Sequence, residues 1–427
     1  MMQKMTVNLP HSNQMILPNI ISSFSQPVFD MNTLNLIFFG NRCPFFPLIQ
    51  QYYPLEAFEF LKAYPYLRQL ALNITNILPN EIPLLQQMEI FNRNELTRKQ
   101  VALLFMLSFF GLIPQSMNNK LNVFNVSAFL FAKNGTKFEF GRCFLNYLTT
   151  IGKWLSQNDP ILEEKIIYLR ESINRYNLRF ENFNLTNLCP VNFIPQGSLI
   201  SGNSSYCVDF ANQYIGGGTL LGGCVQEEIL FAINPEAIVA MLFMEKMHEC
   251  DAIGIFNVIQ YSSYDGYKNT FTFTGNCVLN CFASQIKRKR LIAIDASCKV
   301  DPNLNSMDLN AYQLNINRDI YKAYSGFNLI NSENMFEKSI ATGNWGCGIF
   351  GGNPQLKFIE QWIAASFAGA QRLDYFTFND QSMQYLMQFY QNIMNKFRFA
   401  NNLYRALIYN KLDMTKLVEC LLNWQFQ

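Results

Sequence analysis

From about residue 158 onward, short apolar runs alternate with helical stretches, and this pattern restricts the fold more than any other feature of the chain. Asn234 and Pro235 predict the start of a helix that reaches Met247, and a second helix is predicted over 354–370. Alternation of this kind predicts an α/β sandwich with a mixed sheet, which binds ligands in the loops beyond its strand ends. Strands are predicted at 208–210, 252–256, 270–274, 291–295 and 374–378.

The preceding part of the chain has a different pattern. Residues 1–157 are predicted to form a mostly helical accessory region and residues 158–427 the ligand-binding domain. The apolar run at 101–114 is shorter than the roughly 20 residues that a bilayer span needs, so a buried helix is expected. Thr97 and Gln100 predict its start, because the hydroxyl can cap a free amide while the glutamine side chain reaches back.

A glycine-rich loop that ends in two carboxylates follows the predicted strand at 208–210. It begins with three consecutive glycines at 216–218 and ends with Gln226, Glu227 and Glu228. Such glycines let a ligand approach backbone amides closely. Neighbouring carboxylates diverge, so we expect one to face a scissile bond and the other to hold sugar hydroxyls. The alternative is a flexible loop that leads into a helix with an acidic first turn.

Residues 341–352 form a second glycine-rich loop, with the pattern GxGxxG at Gly346, Gly348 and Gly351. Glycine amides and the N-terminus of the following helix present N–H groups to an anion, which predicts phosphate binding; a structural turn is the alternative. The segments 260–267 and 375–380 each carry an aromatic residue beyond a strand. Taken singly these rings could pack in the core or its rim, but beside a phosphate loop they predict a nucleotide pocket.

Together these segments resemble the poly(ADP-ribose) glycohydrolase family, whose catalytic domain is related to the macrodomains. The resemblance covers three glycines followed by Gln-Glu-Glu, and it extends upstream to 96–114, which is similar to the family's helical accessory region. It implies a macrodomain-like three-layer α/β/α sandwich with a mixed sheet, preceded by a mostly helical accessory domain. The other matching strings are VDFAN (208–212), INPE (233–236), YSSYDGY (261–267), AIDA (293–296), ATGNWGCGIFGG (341–352) and YFTF (375–378).

The resemblance also implies roles for single residues. Glu228 is the implied acid catalyst, Glu227 fixes the ribose together with Asn212, and Asp209 is a third candidate catalytic residue. Ser201 departs from the family, which places an acidic residue near the adenine amino group. The implied substrate-binding residues, which wrap the diphosphate or cover the adenine and its ribose, are Asn212, Gly216, Gly217, Gly218, Gln226, Tyr267, Asn344, Trp345, Gly346, Cys347, Gly348, Ile349, Phe350 and Phe378.

Hydrolysis of a ribose–ribose bond needs a proton on the leaving oxygen and stabilisation of an oxocarbenium-like centre. No histidine lies in these loops, so carboxylates must carry the chemistry. We expect Glu228 to protonate the leaving oxygen and then to deprotonate the attacking water. The diphosphate of the ligand is expected to stabilise the cation.

Charge and cysteine content restrict the partners. A formal net charge of +2 gives no broad basic face, so direct DNA binding is not expected. Eleven scattered cysteines without a CxxC pair and only two histidines favour reduced thiols over a zinc site, and no cofactor is expected. Residues 1–10 lack the pattern of a secretory signal. We therefore expect an intracellular monomer, nuclear or cytoplasmic, that acts on poly(ADP-ribose) and ADP-ribosylated proteins without contacting a membrane.

Two rival functions remain open. A non-catalytic protein that binds ADP-ribose would keep the glycine loops and the aromatic residues but would lack an acid at the scissile bond, and the Gln-Glu-Glu run argues against it. A dehydrogenase that uses the GxGxxG pattern would need a strong apolar strand before the first glycine. The segment 339–342 is short and polar.

Overall fold

A mixed sheet of eight strands runs through the centre of the protein in a computed structural model, which describes residues 5–174, 178–200, 202–278, 281, 283–298 and 301–425. Two further pairs, β1 with β2 and β8 with β9, form small separate sheets. The strands in chain order are β1 (Thr6–Asn8), β2 (Glu81–Pro83), β3 (Phe91–Thr97), β4 (Lys165–Ser172), β5 (Val191–Ile194), β6 (Tyr206–Phe210), β7 (Asp251–Ile259), β8 (Ser262–Asp265), β9 (Thr272–Asn276), β10 (Arg288–Ile294), β11 (Ser339–Gly343) and β12 (Arg372–Phe376).

The order across the central sheet is β3–β4–β7–β10–β6–β11–β12–β5. Strands β3, β4, β7 and β10 pair antiparallel, whereas β10, β6, β11, β12 and β5 run parallel. Because parallel strands end at the same edge of a sheet, the loops that follow β6, β10, β11 and β12 meet there. This edge carries the candidate site.

Helices cover both faces of the central sheet. One hydrophobic cluster packs α1 to α8 against one face, and a second cluster packs α9 to α13 against the other. The architecture is therefore the predicted three-layer α/β/α sandwich. The helices are α1 (Leu17–Ser25), α2 (Met31–Phe39), α3 (Phe45–Tyr52), α4 (Pro54–Leu72), α5 (Ile74–Ile77), α6 (Arg98–Phe109), α7 (Gly135–Ser156), α8 (Gln226–Ile233), α9 (Leu309–Asn328), α10 (Pro354–Phe367), α11 (Gln384–Phe397), α12 (Ala400–Tyr409) and α13 (Leu417–Asn423).

Strand β10 illustrates why the sheet is covered on both sides. Leu291 and Ala293 belong to one hydrophobic cluster, and Ile292 and Ile294 belong to the other. Side chains alternate between the two faces of a strand, so a strand that is apolar at successive positions needs a packed layer on each side.

Most predicted elements are confirmed, with shifted ends. Four of the five predicted strands fall on β6, β7, β10 and β12, and the fifth begins at Thr272 because residues 268–270 form a 3-10 turn. The predicted helix at 354–370 is α10, which ends at Phe367. Gly369 follows it with a φ of 78°, in the left-handed region that commonly terminates helices.

The helix predicted from residue 234 to Met247 is wrong in type and in length. Residues Pro235–Leu242 form a 3-10 helix instead. It stops there because the next segment pairs with the helical region: the amide of Leu85 donates to the carbonyl of Phe243, and the amide of Glu245 donates to the carbonyl of Leu85. A contact with residues far away in the sequence thus ends the helix, and the local pattern gives no sign of it.

The predicted buried helix is α6. The hydroxyl of Thr97 accepts from the amide of Gln100, and the side chain of Gln100 accepts from the amide of Thr97, so the predicted capping arrangement is present. Every residue from Val101 to Phe109 is buried. Within the described residues, no helix is long and apolar enough to cross a membrane.

The N-terminal region also contributes a strand to the central sheet. Strand β3 lies within residues 1–157, yet it pairs with β4 along its whole length, from Phe91 opposite Glu171 to Thr97 opposite Lys165. The hydrophobic cluster on this side of the sheet is shared by the helices of both regions. The boundary at residue 157 stays a prediction.

A buried ion pair joins the helical region to the rest of the fold. Arg98, the first residue of α6, pairs with Glu236, and both side chains are fully buried. Glu236 also accepts from the hydroxyl of Tyr261 at 2.6 Å and from the amide of Ile259 at 3.0 Å. Arg98 donates further to the carbonyl of Asn257 at 3.0 Å. Both charges are compensated, which is the condition under which such groups can be buried.

We expect Arg98→Met to lower the free energy of unfolding by about 3–5 kcal/mol, because it leaves the buried carboxylate of Glu236 without its cation. Urea denaturation measures this change. The control is Arg93→Met, since Arg93 is half exposed and pairs with Glu95 at the surface; its cost should stay below about 1 kcal/mol. Equal effects of the two substitutions would contradict the structural role of the buried pair. Adding Glu236→Gln to Arg98→Met should restore part of the loss.

Candidate active site

A cleft made of two adjoining cavities lies beyond the carboxyl ends of β6, β10 and β11. Their volumes are about 360 and 630 Å³, within the range of small-molecule sites. The cavities share Phe210, Gln226, Tyr267, Asn344 and Gly348 in their walls, so they form one continuous space. An elongated cleft of this kind can hold a nucleotide with its base and its sugars in different compartments.

Most of the predicted site residues line this cleft. Asp209, Gly216, Gly217 and Gly218 do not line it, and Ser201 lies outside the described residues. Cys347 and Phe378 belong to the larger cavity only. The smaller cavity contains Asn212, Gln226, Glu227, Glu228, Tyr267, Asn344, Trp345, Gly346, Gly348, Ile349 and Phe350.

The two adjacent glutamates lie in the first turn of α8, and their carboxylates accept from different backbone amides. One oxygen of Glu228 accepts from the amide of Val225 at 2.8 Å, across the first turn of the helix, and the other accepts from Gly218 at 3.0 Å. The carboxylate of Glu227 accepts from the amides of Asn212 at 2.8 Å and Gly216 at 2.7 Å. Each carboxylate is therefore fixed by two backbone N–H groups, and both line the same cavity.

The first glycine loop folds directly around these carboxylates. Gly217 has a φ of 48°, and a Cβ there would collide with the carboxylate oxygens of both Glu227 and Glu228. At Gly223 a Cβ would lie 2.9 Å from the carboxylate carbon of Glu228. Glycine is required here because the loop approaches the two acids too closely for any side chain.

The amides of the three consecutive glycines are already occupied. Gly216 and Gly218 donate to Glu227 and Glu228, and Gly217 donates to the carbonyl of Tyr214. In this conformation the loop positions the acids and has no free amide among these glycines for a phosphate. The predicted role of Gly216, Gly217 and Gly218 in holding the diphosphate stays a prediction.

Gln226 fixes the start of α8 against β6. Its side-chain oxygen accepts from the amide of Phe210 at 2.8 Å, and its side-chain nitrogen donates to the carbonyl of Val208 at 3.1 Å. These two hydrogen bonds satisfy backbone groups at the end of β6, beyond the last residue of β6 that pairs with β11. They set the distance between the strand and the two glutamates.

Asp209 lies behind the cleft, one residue before the end of β6, with no exposed surface. Neither oxygen of its carboxyl group has a hydrogen-bond partner among the described residues. Burial raises the pKa of Asp209 well above its ordinary value, and the charge of Glu228 adds to this effect. Burial likewise raises the pKa of Glu227, with the charge of Asp209 as the second cause. Burial therefore favours the protonated form of both Asp209 and Glu227.

The second glycine loop has amides that are free to bind an anion. The N–H groups of Gly346, Gly348, Ile349 and Phe350 have no acceptor within the part of the chain that the structure describes. The start of α10 is different, since the side chain of Asn353 caps its first free amides. Phosphate binding at this point would therefore use the loop amides more than the helix end.

The aromatic residues divide into exposed and buried ones. Tyr267 and Phe378 stand at the cleft with 49% and 47% of their surface exposed, which leaves their rings free to cover a ligand. Trp345 is buried, and its indole nitrogen donates to the carbonyl of Ile294 at 2.9 Å, so it fixes the second loop to the end of β10. Asn344 is held by the hydroxyl of Tyr375 at 3.1 Å.

Sequence reasoning missed Asn122, which lies in the helical region. Its side-chain amide donates to the carbonyls of Ile215 at 2.9 Å and Gly217 at 3.0 Å and so holds the first glycine loop from outside. Nothing in its local sequence marks it, because its partners lie more than ninety positions away. It also missed Lys268, which lines the smaller cavity. No group of three or more His, Cys, Asp or Glu side chains suited to a metal ion occurs among the described residues.

Comparisons with known proteins agree with this geometry. Residues 179–385 match the family described as poly(ADP-ribose) glycohydrolase, macro domain fold, and residues 56–170 match its helical domain. A probable poly(ADP-ribose) glycohydrolase 2 of Arabidopsis thaliana is 30% identical over 366 residues, which are 73% of this chain and 68% of that protein. Poly(ADP-ribose) glycohydrolase 1 of the same plant is 31% identical over 42% of this chain and 44% of its own length. Poly(ADP-ribose) glycohydrolase 1 of Caenorhabditis elegans is 32% identical over 57% of this chain and 33% of its own length.

The buried Asp209 gives a pH-dependent prediction for stability. Because its pKa is raised in the folded state, its contribution is most favourable at low pH and is lost as the pH rises through the folded-state value. Asp209→Asn should therefore raise the melting temperature relative to the unchanged protein, by roughly 2–6 °C at pH 9 and by less at pH 5. Thermal unfolding at several pH values measures this. Asp265→Asn, at an exposed position, is the control. A constant difference across this pH range would contradict the buried titration.

Proposed function

The chain belongs to the poly(ADP-ribose) glycohydrolase family, and we propose that it hydrolyses the ribose–ribose O-glycosidic bonds of poly(ADP-ribose) and releases ADP-ribose. The observation that carries this proposal is the pairing of two buried glutamates, fixed by backbone amides, with a loop of free amides across one cleft. The first can donate a proton to a leaving oxygen, and the second can hold a diphosphate. A site that only binds ADP-ribose needs the second alone.

In the proposed mechanism, Glu228 donates a proton to the leaving 2′ oxygen while the ribose acquires oxocarbenium character. The diphosphate of the ligand lies beside this cation and stabilises it. Glu228 then takes a proton from the attacking water, so the carboxyl group returns to its starting state. The hydrogen bonds from the backbone amides of Val225 and Gly218 hold the carboxyl group in one orientation throughout. Each of its oxygens keeps a second lone pair for the reaction.

Glu227 and Asn212 are proposed to fix the ribose. The carboxylate of Glu227 already bonds to the amides of Asn212 and Gly216, so its outward lone pairs can accept from sugar hydroxyls. Asp209 is proposed to act from behind the cleft, because the charge of an ionised Asp209 would favour the acid form of Glu227.

The nucleotide is proposed to lie along the rest of the cleft. The diphosphate accepts from the free amides of the loop from Gly346 to Phe350, and the adenine with its ribose lies between Tyr267 and Phe378 in the larger cavity. The contacts of Cys347 and Ile349 with the ligand belong to the same proposal.

Protein-linked polymer is proposed as the form of the substrate, and a single copy of the chain is proposed to suffice, because one chain supplies the whole cleft. A nuclear or cytoplasmic location is proposed with it. All eleven cysteines are free thiols, which suits a reducing compartment.

We predict that Glu228→Gln lowers kcat on poly(ADP-ribose) by about 10²–10⁴-fold, because it removes the acid. Release of ADP-ribose from defined polymer measures the rate, and calorimetric titration measures the affinity for ADP-ribose. Gln can accept at only one side-chain oxygen, so either Gly218 or Val225 loses its acceptor, and binding should weaken slightly. Glu227→Gln is the matched control, and its main effect should be on KM. Near-normal turnover of Glu228→Gln would overturn the assignment.

We predict that Tyr267→Ala raises KM roughly tenfold, since an aromatic contact contributes up to about 1.5 kcal/mol. The half-exposed ring is free to cover the ligand, so its removal should not affect the fold. Tyr267→Phe keeps the ring and should restore most of the affinity. An unchanged KM in Tyr267→Ala would show that the ring does not contact the ligand.

A further inference from the structure

Lys268 is the only cationic side chain in the walls of the cleft, as far as the described residues extend. It lines the smaller cavity together with Glu228 and does not reach the larger one. Its backbone has a φ of 55°, in the left-handed region that disfavours residues other than glycine. The exposed side chain leaves its nitrogen 5.9 Å from the centre of the Tyr267 ring. The fold thus keeps a lysine in an unfavourable conformation beside the acid.

A second lysine reaches the same neighbourhood from the helical region. Lys137 lies in the first turn of α7, and its side chain crosses the first glycine loop at Gly222. A Cβ on Gly222 would collide with this side chain and would lie 3.2 Å from its nitrogen. The next residue, Gly223, faces the carboxylate of Glu228. The ammonium group of Lys137 and the proposed acid therefore flank successive residues of one loop.

Neither ammonium group has an ion-pair partner among the described residues. Their neighbours in the helical region differ: Arg142 pairs with Glu56 and Glu139, and Lys153 pairs with Glu59. The two carboxylates that share a cavity with Lys268, those of Glu227 and Glu228, already accept from backbone amides. Both cations are therefore available to an external anion.

The two lysines can be related to the proposed position of the polymer. The larger cavity holds the proposed base, and the smaller cavity holds the diphosphate and the ribose at the scissile bond. Lys268 lines the smaller cavity beside Glu228, and Lys137 lies outside both cavities, against the loop at Gly222. The leaving oxygen belongs to the adenosine ribose of the neighbouring unit. That ribose carries a diphosphate of its own, which must lie beyond Glu228 when the polymer is bound.

We propose that Lys137 and Lys268 form a subsite for the diphosphate of the polymer unit on the leaving-group side of the scissile bond. The subsite rests on the proposed function and goes beyond it, because it lets the helical region take part in recognising the polymer. It predicts that the protein distinguishes a polymer from free ADP-ribose by charge at these two positions.

The test uses the full chain with Glu228→Gln, so that polymer is bound but cut slowly. Fluorescently labelled poly(ADP-ribose) of defined length and free ADP-ribose are titrated separately. The variants are Lys137→Gln, Lys268→Gln and their combination, with Lys137→Arg to keep the charge. Lys62→Gln is the matched control, because Lys62 is an exposed lysine on α4 in the same region. Thermal melting checks that each variant is folded, and the unmodified protein is assayed for cleavage in parallel.

Each single substitution to Gln should raise the Kd for polymer about fivefold and the double substitution about 20-fold, with a weaker dependence of binding on salt. The Kd for ADP-ribose should change less than about twofold, and so should the Kd for polymer in Lys62→Gln, which leaves the proposed anion site intact. Lys137→Arg should bind polymer like its parent.

Two results would overturn the subsite. Unchanged polymer binding in the double variant would show that the lysines are merely solvated, and an equal loss for polymer and ADP-ribose would assign them to the terminal unit. Failure of the unmodified protein to cut polymer would refute the proposed function. The selective loss of polymer binding would support the subsite in that case too, so the two failures can be told apart.

Discussion

The close wrapping of a glycine loop around two glutamates is the constraint on which the rest of the site depends. Glu227 and Glu228 are each fixed by two backbone amides, and three of those four amides belong to the strand end or the loop at residues 212–218. A side chain at Gly217 would push the loop away from the carboxylates. The loop would then no longer fix the acids, and the carboxylates would lose the amides that offset their burial.

The buried carboxyl group of Asp209 lowers the stability of the fold beside the proposed acid, Glu228. Asp209 is buried with no partner for its carboxyl group in the described structure; burial raises the pKa of this group, and the charge of Glu228 raises it further. A stability criterion alone would favour an apolar or amide side chain at this point of β6. Perturbed carboxyl groups of this kind cluster at functional sites because they keep a proton available at neutral pH.

The sequence predicts those parts of the molecule that depend on local pattern. Two examples are the apolar run of β10 and the capping pair at Thr97 and Gln100. Both depend on residues that are close in the sequence, so the sequence alone predicts them. The two glycine loops look alike in the sequence but differ in the structure: one uses its amides internally, and the other leaves them free. What decides this is the position of acceptors brought in by the fold. Trp345 likewise stands in a motif that predicts ligand contact, yet its indole ties the loop to β10.

The helical region helps to position the candidate active site. The ion pair of Arg98 with Glu236 is by itself weak evidence for net stability, because the cost of desolvating both charges offsets most of their attraction. Its effect is on geometry, since any other docking of α6 would leave a buried charge without a partner. Fixed docking in turn holds Asn122 against the carbonyls of the first glycine loop. The position of the two glutamates therefore depends on contacts from the helical region, which precedes the first glycine loop in the sequence.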